Sequence, residues 1–114
     1  MLDINLEFAR GMLFIRLSGI LDINTSMKLS NLLDDMINEK GLKYFVVNLH
    51  ELSYIDEKGL QAIIDRYFDI ALHNGKLVVC GYKDNFNYSI KIKNIFNKIE
   101  HTNNELSALK LINI

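Results

Sequence analysis

The fold of this chain of 114 residues is decided by the stretch Ser53-Tyr54-Ile55-Asp56-Glu57-Lys58-Gly59-Leu60. An apolar, β-rich run from Tyr44 to Leu49 precedes it, and a helical pattern of apolar residues follows it. A turn that leads from a buried strand into a helix exposes polar side chains and backbone N–H groups, which attract anions. Because open α/β sheets bind ligands at such edges, we expect the functional site at this turn.

Composition narrows the class of protein. Hydrophobic residues make up 49% of the chain, enough for a core, and the net charge of −1 gives no indication of a nucleic-acid or anionic-membrane partner. No stretch approaches the roughly 20 apolar residues of a membrane span. The first residues lack the basic segment of a secretory signal. The single cysteine, Cys80, excludes an internal disulfide, so we expect a cytoplasmic protein with one domain over residues 1–114.

The first elements are two strands and a helix. Alternating apolar and polar residues predict a half-buried strand over Leu2 to Phe8, and the apolar run from Met12 to Leu17 predicts a second strand that forms a hairpin with it. Asn24 or Thr25 can cap a helix that continues to about Glu39. Its buried face consists of Leu29, Leu32, Leu33 and Met36, and Gly41 ends it.

The middle of the chain predicts a strand, a helix and a strand. Tyr44 to Leu49 is typical of a central strand. The helix runs from about Glu57 to Asn74 with a core stripe of Leu60, Ile63, Ile64, Tyr67 and Ala71, and Gly75 ends it. Phe68 and Leu72 lie at the edge of that stripe, and if they are exposed they extend a partner-binding patch. Lys76 to Cys80 forms the next strand.

The last third predicts two further helices. The first covers Asp84 to about Phe96, and Ile99 begins a short edge strand. Thr102 and Glu105 form a capping box that opens the last helix, whose core residues are Leu106, Leu109 and Ile112.

The resulting order is β-β-α-β-α-β-α-(β)-α. Strands that alternate with helices imply right-handed crossovers and parallel pairing, whereas the opening hairpin is antiparallel. We therefore predict the α/β class, with a mixed, mostly parallel sheet of about four or five strands and about four helices.

Three segments in this order resemble the STAS domain family of anti-sigma factor antagonists, and together they cover almost the whole chain. They are Leu17-Ser18-Gly19-Ile20-Leu21-Asp22 followed by Thr25, then Val46-Val47-Asn48-Leu49 with Leu52-Ser53-Tyr54-Ile55-Asp56, and finally Gly59-Leu60 with Gly75-Lys76-Leu77-Val78-Val79-Cys80-Gly81.

The resemblance implies a small domain that binds proteins and is not an enzyme. In such antagonists the unphosphorylated protein captures an anti-sigma factor, a kinase of the GHKL ATPase type, and thereby releases the sigma factor. Phosphorylation of a Ser or Thr directly before a loop glycine switches the antagonist off. This chain departs from the pattern, because Lys58 stands directly before Gly59 and Glu57 precedes it. Neither side chain can form a phosphate ester, so the ordinary switch is not expected here.

The resemblance, together with the expected position of this turn at the edge of the sheet, gives a predicted partner-binding set. Its members are Asp22, Thr25, Asp56, Glu57, Lys58, Gly59 and Leu60. Other roles stay open for some of them: Asp56 can cap the helix, and Asp22 can pair with Lys58 or act as a turn residue. Glu57 is a poor phosphate mimic, since it carries one charge beside the cation of Lys58. Thr25, Ser26 and Ser53 are alternative phosphoacceptors, although capping and turn roles also explain them.

Several kinds of site have no support in the sequence. It contains no nucleophile elbow, dinucleotide fingerprint, phosphate-cradling glycine loop or zinc spacing, so we expect no enzyme activity, no cofactor and no metal. His50, His73 and His101 are scattered, and Cys80 reads as an inert core thiol. Two alternatives remain: a STAS-type structural subunit of an ABC lipid-transport or stress-sensing assembly, and a small-ligand or nucleotide sensor.

Overall fold

The structure is a computed structural model that describes residues 1–83, 93–94 and 96–112. Its elements in chain order are β1 (Leu2–Ala9), β2 (Met12–Leu21), α1 (Ser26–Asn38), β3 (Tyr44–Ile55), α2 (Glu57–Leu72), β4 (Lys76–Cys80), β5 (His101–Thr102) and α3 (Glu105–Ile112). The helix predicted over Asp84 to about Phe96 lies largely outside the described residues. The predicted α/β class is confirmed.

Over the residues that the structure describes, the sheet contains five strands in the order β1-β2-β3-β4-β5. β1 and β2 are antiparallel, and the other neighbours are parallel. The β1–β2 hairpin turns through Arg10 and Gly11, which both have positive φ, 56° and 77°. Two such residues form the turn whose twist matches that of the flanking strands. The mixed, mostly parallel sheet agrees with the prediction.

β2 and β3 are longer than their apolar runs predict. Their parallel pairing continues to Leu21 opposite Ile55, because two register shifts, between Arg16 and Ser18 and between Gly19 and Ile20, absorb the irregular spacing. The segment from Ser53 to Ile55, expected to form a turn, is therefore strand. The change of direction occurs at Asp56 alone, immediately before α2.

Each face of the sheet carries its own layer of apolar side chains. α1 and α2 cover one face and enclose the larger cluster, which includes Leu17, Leu29, Leu33, Phe45, Val47, Leu60, Ile63 and Leu77. α3 covers part of the other face, where the cluster consists of Met12, Phe14, Val46, Val78, Cys80, Ala108 and Ile112. The buried position expected for Cys80 is confirmed.

The end of α2 corrects one predicted core residue. Ile70 is buried and Ala71 is exposed. The amides of Asn74 and Gly75 donate to the carbonyls of Ala71 and Ile70, and Asn74 has a φ of 64°. This hydrogen-bond pattern is a Schellman motif, which turns the chain beneath Ile70. Gly75 is needed there because a Cβ would overlap the carbonyl oxygen of Lys43 and stand 2.7 Å from Cγ2 of Ile70.

The start of α3 corrects the predicted capping box. Oδ1 of Asn104 accepts from the amide of Ser107 at 2.9 Å, so Asn104 is the capping residue instead of Thr102. Glu105 does not reach back to the chain before it; its two carboxylate oxygens accept from Nε and Nη2 of Arg16, each at 2.8 Å. Leu106, expected in the core, is exposed, whereas Ile112 is buried.

Candidate partner-binding site

The candidate site lies at the carboxyl ends of β2 and β3, and we call it the rim. It comprises residues 22–27, which follow β2, and residues 56–60, which follow β3. Because Leu21 pairs with Ile55, Asp22 and Asp56 leave neighbouring strands at the same edge of the sheet. The strand register therefore brings these two acidic residues to one edge of the sheet.

Asp56 holds the start of α2. Its Oδ1 accepts from the amide of Gly59 at 2.8 Å, and its own amide donates to the carbonyl of Leu21 at 3.2 Å. The backbone of Asp56 is extended, as is usual for a capping residue. Asp56 thus caps α2 and also ties it to the end of β2, which confirms the capping role.

Gly59 and Leu60 belong to the interior of the rim. A Cβ on residue 59 would overlap the carbonyl oxygen of Leu21 and stand 2.9 Å from its Cγ, so only glycine lets α2 lie this close to β2. Leu60 is buried in the larger core cluster. Both residues were expected in the partner-binding set. Both are buried, so neither offers a side chain to a partner.

The Asp22 loop closes on itself through hydrogen bonds. Oδ1 of Asp22 accepts from the amides of Asn24 at 2.9 Å and Thr25 at 3.1 Å. Oγ1 of Thr25 accepts from the amide of Asp22 at 2.9 Å and donates to the carbonyl of Ile20 at 2.9 Å. These hydrogen bonds form an Asx-type turn and fix the conformation of the loop.

The same contacts correct the expected cap of α1. Thr25 occupies the capping position, but its backbone is helical and its side chain makes no capping hydrogen bond. At the other end of α1 the expected glycine terminator is present, because Gly41 has a φ of 65° and the amide of Leu42 donates to the carbonyl of Met36 at 3.1 Å.

Glu57 and Lys58 are the exposed residues of the first turn of α2. The carboxylate of Glu57 is favourable near a helix N-terminus, whereas the ammonium of Lys58 is unfavourable there. Lys58 forms no ion pair with any residue that the structure describes, so the pairing with Asp22 considered from the sequence is not formed. The rim therefore presents an exposed cation directly before its buried glycine.

Two exposed apolar side chains that are not in the predicted partner-binding set also lie at the rim. Ile23, within the Asp22 turn, is 61% exposed, and Met27, in the first turn of α1, is 65% exposed. The feature of the sequence that could have indicated their exposure is their position immediately beside polar turn residues. Farther along α2, Phe68 and Leu72 are exposed as well, so they are not core residues. The rim thus combines apolar surface with charge, as is usual for protein-binding surfaces.

A comparison with protein-family models matches the STAS domain over residues 3–108. The chain belongs to the STAS domain family. A curated relative, the anti-sigma F factor antagonist of Paenibacillus polymyxa, is 32% identical over 108 residues, which are 95% of this chain and 92% of that protein.

Solved structures share the STAS fold. An anti-sigma factor antagonist from Mycobacterium paratuberculosis has a TM-score of 0.81 at 13% identity and covers 100% of this chain and 96% of its own. The unphosphorylated form of the anti-sigma factor antagonist SpoIIAA has a TM-score of 0.74 at 18% identity, with coverage of 98% and 100%. Its phosphorylated form, from Bacillus, has a TM-score of 0.70 at 19% identity, with coverage of 96% and 99%.

Besides Thr25, two hydroxyl side chains near the rim of this STAS domain donate hydrogen bonds to backbone carbonyls. Oγ of Ser53 donates to Gly19 at 2.9 Å, and Oγ of Ser26 donates to Ile23 at 3.3 Å. Within the described part of the chain no group of three His, Cys, Asp or Glu residues is arranged to hold a metal ion. Among the described helices none is long and apolar enough to cross a membrane.

Proposed function

We propose that this STAS domain is an anti-sigma factor antagonist that binds an anti-sigma factor of the GHKL kinase type in the cytoplasm, through the rim. Support comes from the family, from the relative that is 32% identical over nearly the whole chain, and from the intact frame of the rim. Asp56 caps α2 and Gly59 lies against β2, so the loop is preorganised for binding.

The observation that carries the proposal is the position of Lys58. Its side chain is exposed at the start of α2, and the buried Gly59 fixes the backbone that follows. A cation at this helix end is favourable only when a negative group compensates it. An acidic residue of the partner, brought into the rim together with the apolar contacts of Ile23 and Met27, supplies that compensation.

Lys58 also means that phosphorylation at the usual position cannot switch this protein off. An ester-forming hydroxyl is absent at the position directly before Gly59. The hydroxyls of Thr25, Ser26 and Ser53 are engaged with backbone carbonyls of the β2 end and its loop, which makes them poor replacements. We therefore propose an antagonist that stays competent to bind in the presence of its kinase and that is regulated by other means, such as its abundance.

Calorimetric titration against the anti-sigma factor from the same cell tests the binding face. Lys58→Glu reverses the exposed charge at the rim. We expect the affinity to fall at least tenfold, because the lost binding free energy is roughly that of one charge-assisted hydrogen bond. Lys40→Glu is the matched control, because Lys40 is also exposed but lies beyond the end of α1, before β3 begins. Equal losses in the two variants would contradict a rim interface.

A pull-down from the native cell tests the class of partner. Recovery of a GHKL-type ATPase supports the proposal. Recovery of an ABC ATPase or permease in its place would favour a structural role in a transport assembly.

A further inference from the structure

The outer edge of β1 has backbone groups that no described strand uses. β1 is the first strand of the sheet, and among the described residues it pairs only with β2. The amide of Ile20 donates to the carbonyl of Met1 at 2.9 Å, which makes these two residues a hydrogen-bonded pair of the antiparallel ladder. Because such pairs alternate along the ladder, the N–H and C=O groups of Leu2, Ile4, Leu6 and Phe8 point away from β2.

One end of this edge is covered, and no other described residue covers the remainder. Nζ of Lys28 donates to the outward carbonyl of Leu2 at 2.7 Å, which agrees with the direction assigned to the even-numbered residues. No side chain in the described part of the chain bonds to the outward groups of Ile4, Leu6 or Phe8. Lysine is a common means of protecting a sheet edge, and here it protects only the first outward residue.

The open part of the edge also carries exposed apolar side chains. Leu6 is 39% exposed and Phe8 is 59% exposed, and both lie on the sheet face that buries Leu2 and partly buries Ile4. β1 has eight residues with no proline, and its pairing with β2 contains no bulge. A long, regular, apolar edge of this kind is a template for another strand.

We propose that β1 pairs in antiparallel fashion with β1 of a second copy of this chain, about a two-fold axis at Leu6. This register sets Leu6 opposite its own copy and Ile4 opposite Phe8, so the exposed apolar side chains cover one another. On the other face Asn5 stands opposite Glu7 and Asp3 opposite Ala9, so no like charges meet.

The neighbouring registers are disfavoured by charge. A shift of two residues in one direction sets Glu7 opposite Glu7, and a shift in the other direction sets Asp3 opposite Glu7. A shift of one residue breaks the match between the faces of the two sheets. The two-fold axis reverses the strand direction, so the two rims lie at opposite ends of the joined sheet and both remain open to partners.

Sedimentation analysis of the purified chain from micromolar to millimolar concentration tests the pairing. We expect the wild type to form a dimer as concentration rises, since an edge interface of this kind is small. Phe8→Lys should stay monomeric over the same range, and Phe68→Lys, which alters a phenylalanine on α2 that is 51% exposed, should behave as the wild type. A wild type that is monomeric throughout, or a dimer that only Phe68→Lys dissociates, would overturn the proposal.

Disulfide trapping tests the register. Directly opposed residues of a hydrogen-bonded pair lie about 5.5 Å apart between Cα atoms, within disulfide range, so Leu6→Cys should cross-link to its copy under mild oxidation. Two copies of residue 8 are separated by about 14 Å along the strands, so Phe8→Cys should not cross-link. The native Cys80 is buried and does not compete. Equal cross-linking of both variants, or of neither, would contradict the register.

Discussion

Gly59 at the start of α2 lies so close to Leu21 at the end of β2 that a Cβ on residue 59 would stand 2.7 Å from the carbonyl carbon of Leu21. This contact fixes the distance between the two loops of the rim, because α2 carries Glu57 and Lys58 while β2 leads into the Asp22 turn.

Gly59→Ala is expected to destabilise the fold. The methyl group meets backbone atoms that cannot rotate away, so we expect a loss of about 1–3 kcal/mol in the free energy of unfolding, as for other overpacked sites. Chemical denaturation measures it. Lys58→Ala, one residue earlier on the exposed surface, is the control and should change stability by less than about 0.5 kcal/mol. A fully stable Gly59→Ala protein would refute the close approach.

Asp56→Ala is expected to remove the cap of α2. The amide of Gly59 loses its acceptor at 2.8 Å, and the usual cost of such a loss is about 1 kcal/mol. Asp56→Asn keeps an acceptor oxygen and should recover most of that stability. Thermal unfolding of both variants measures how much stability is lost with the acceptor oxygen and how much with the charge. If Asp56→Asn lost as much stability as Asp56→Ala, the charge would matter more than the hydrogen bond.

The ion pair between Arg16 and Glu105 predicts a pH dependence of stability. The hydrogen bond from Arg16 holds the pKa of Glu105 below its ordinary value, with a further contribution from Asn48. Since the pKa is lower in the folded state, the added stability is complete above the unfolded pKa, about 4.3, and is lost as pH falls through the folded value.

Unfolding of the wild type and Glu105→Gln between pH 7 and pH 3 measures this contribution. The wild type should be the more stable at pH 7, and the difference should close toward the acid end. Glu7→Gln is the control, because Glu7 contacts Arg16 through a single exposed bond at 2.7 Å. If the difference in unfolding free energy between the wild type and Glu105→Gln did not change with pH, the ionised carboxylate would not be what stabilises the contact of α3 with Arg16.

Cys80 should resist alkylation while the protein is folded. Burial raises the pKa of Cys80 to about 12, and the thiolate is the form that reacts. We expect iodoacetamide to modify the chain at pH 8 only when denaturant unfolds it, which intact mass measures. Rapid modification without denaturant would show that the sheet face beneath α3 is accessible.

The sequence predicts the strand and helix order because periodicity and terminating glycines are local signals. It does not predict that β3 continues to Ile55, since that length depends on register shifts against β2. The capping role of Asp56 follows from local chemistry. The role of Glu105 depends instead on Arg16, which is 89 residues away in the chain, so the local capping-box pattern was misleading. The exposed Ile23 and Met27 were missed because exposure is a tertiary property.

The central claim is that the kinase cannot switch this protein off by phosphorylation. The most direct test measures the intact mass of the chain after incubation with its anti-sigma factor kinase and ATP, and then the affinity of the same sample by titration. The wild type should keep its mass and its affinity. Lys58→Ser, which restores a hydroxyl directly before Gly59, should gain one phosphate and lose affinity, while Lys58→Ala should gain none. A stoichiometric phosphate on the wild type, at Thr25, Ser26 or Ser53, together with lost binding, would contradict the account.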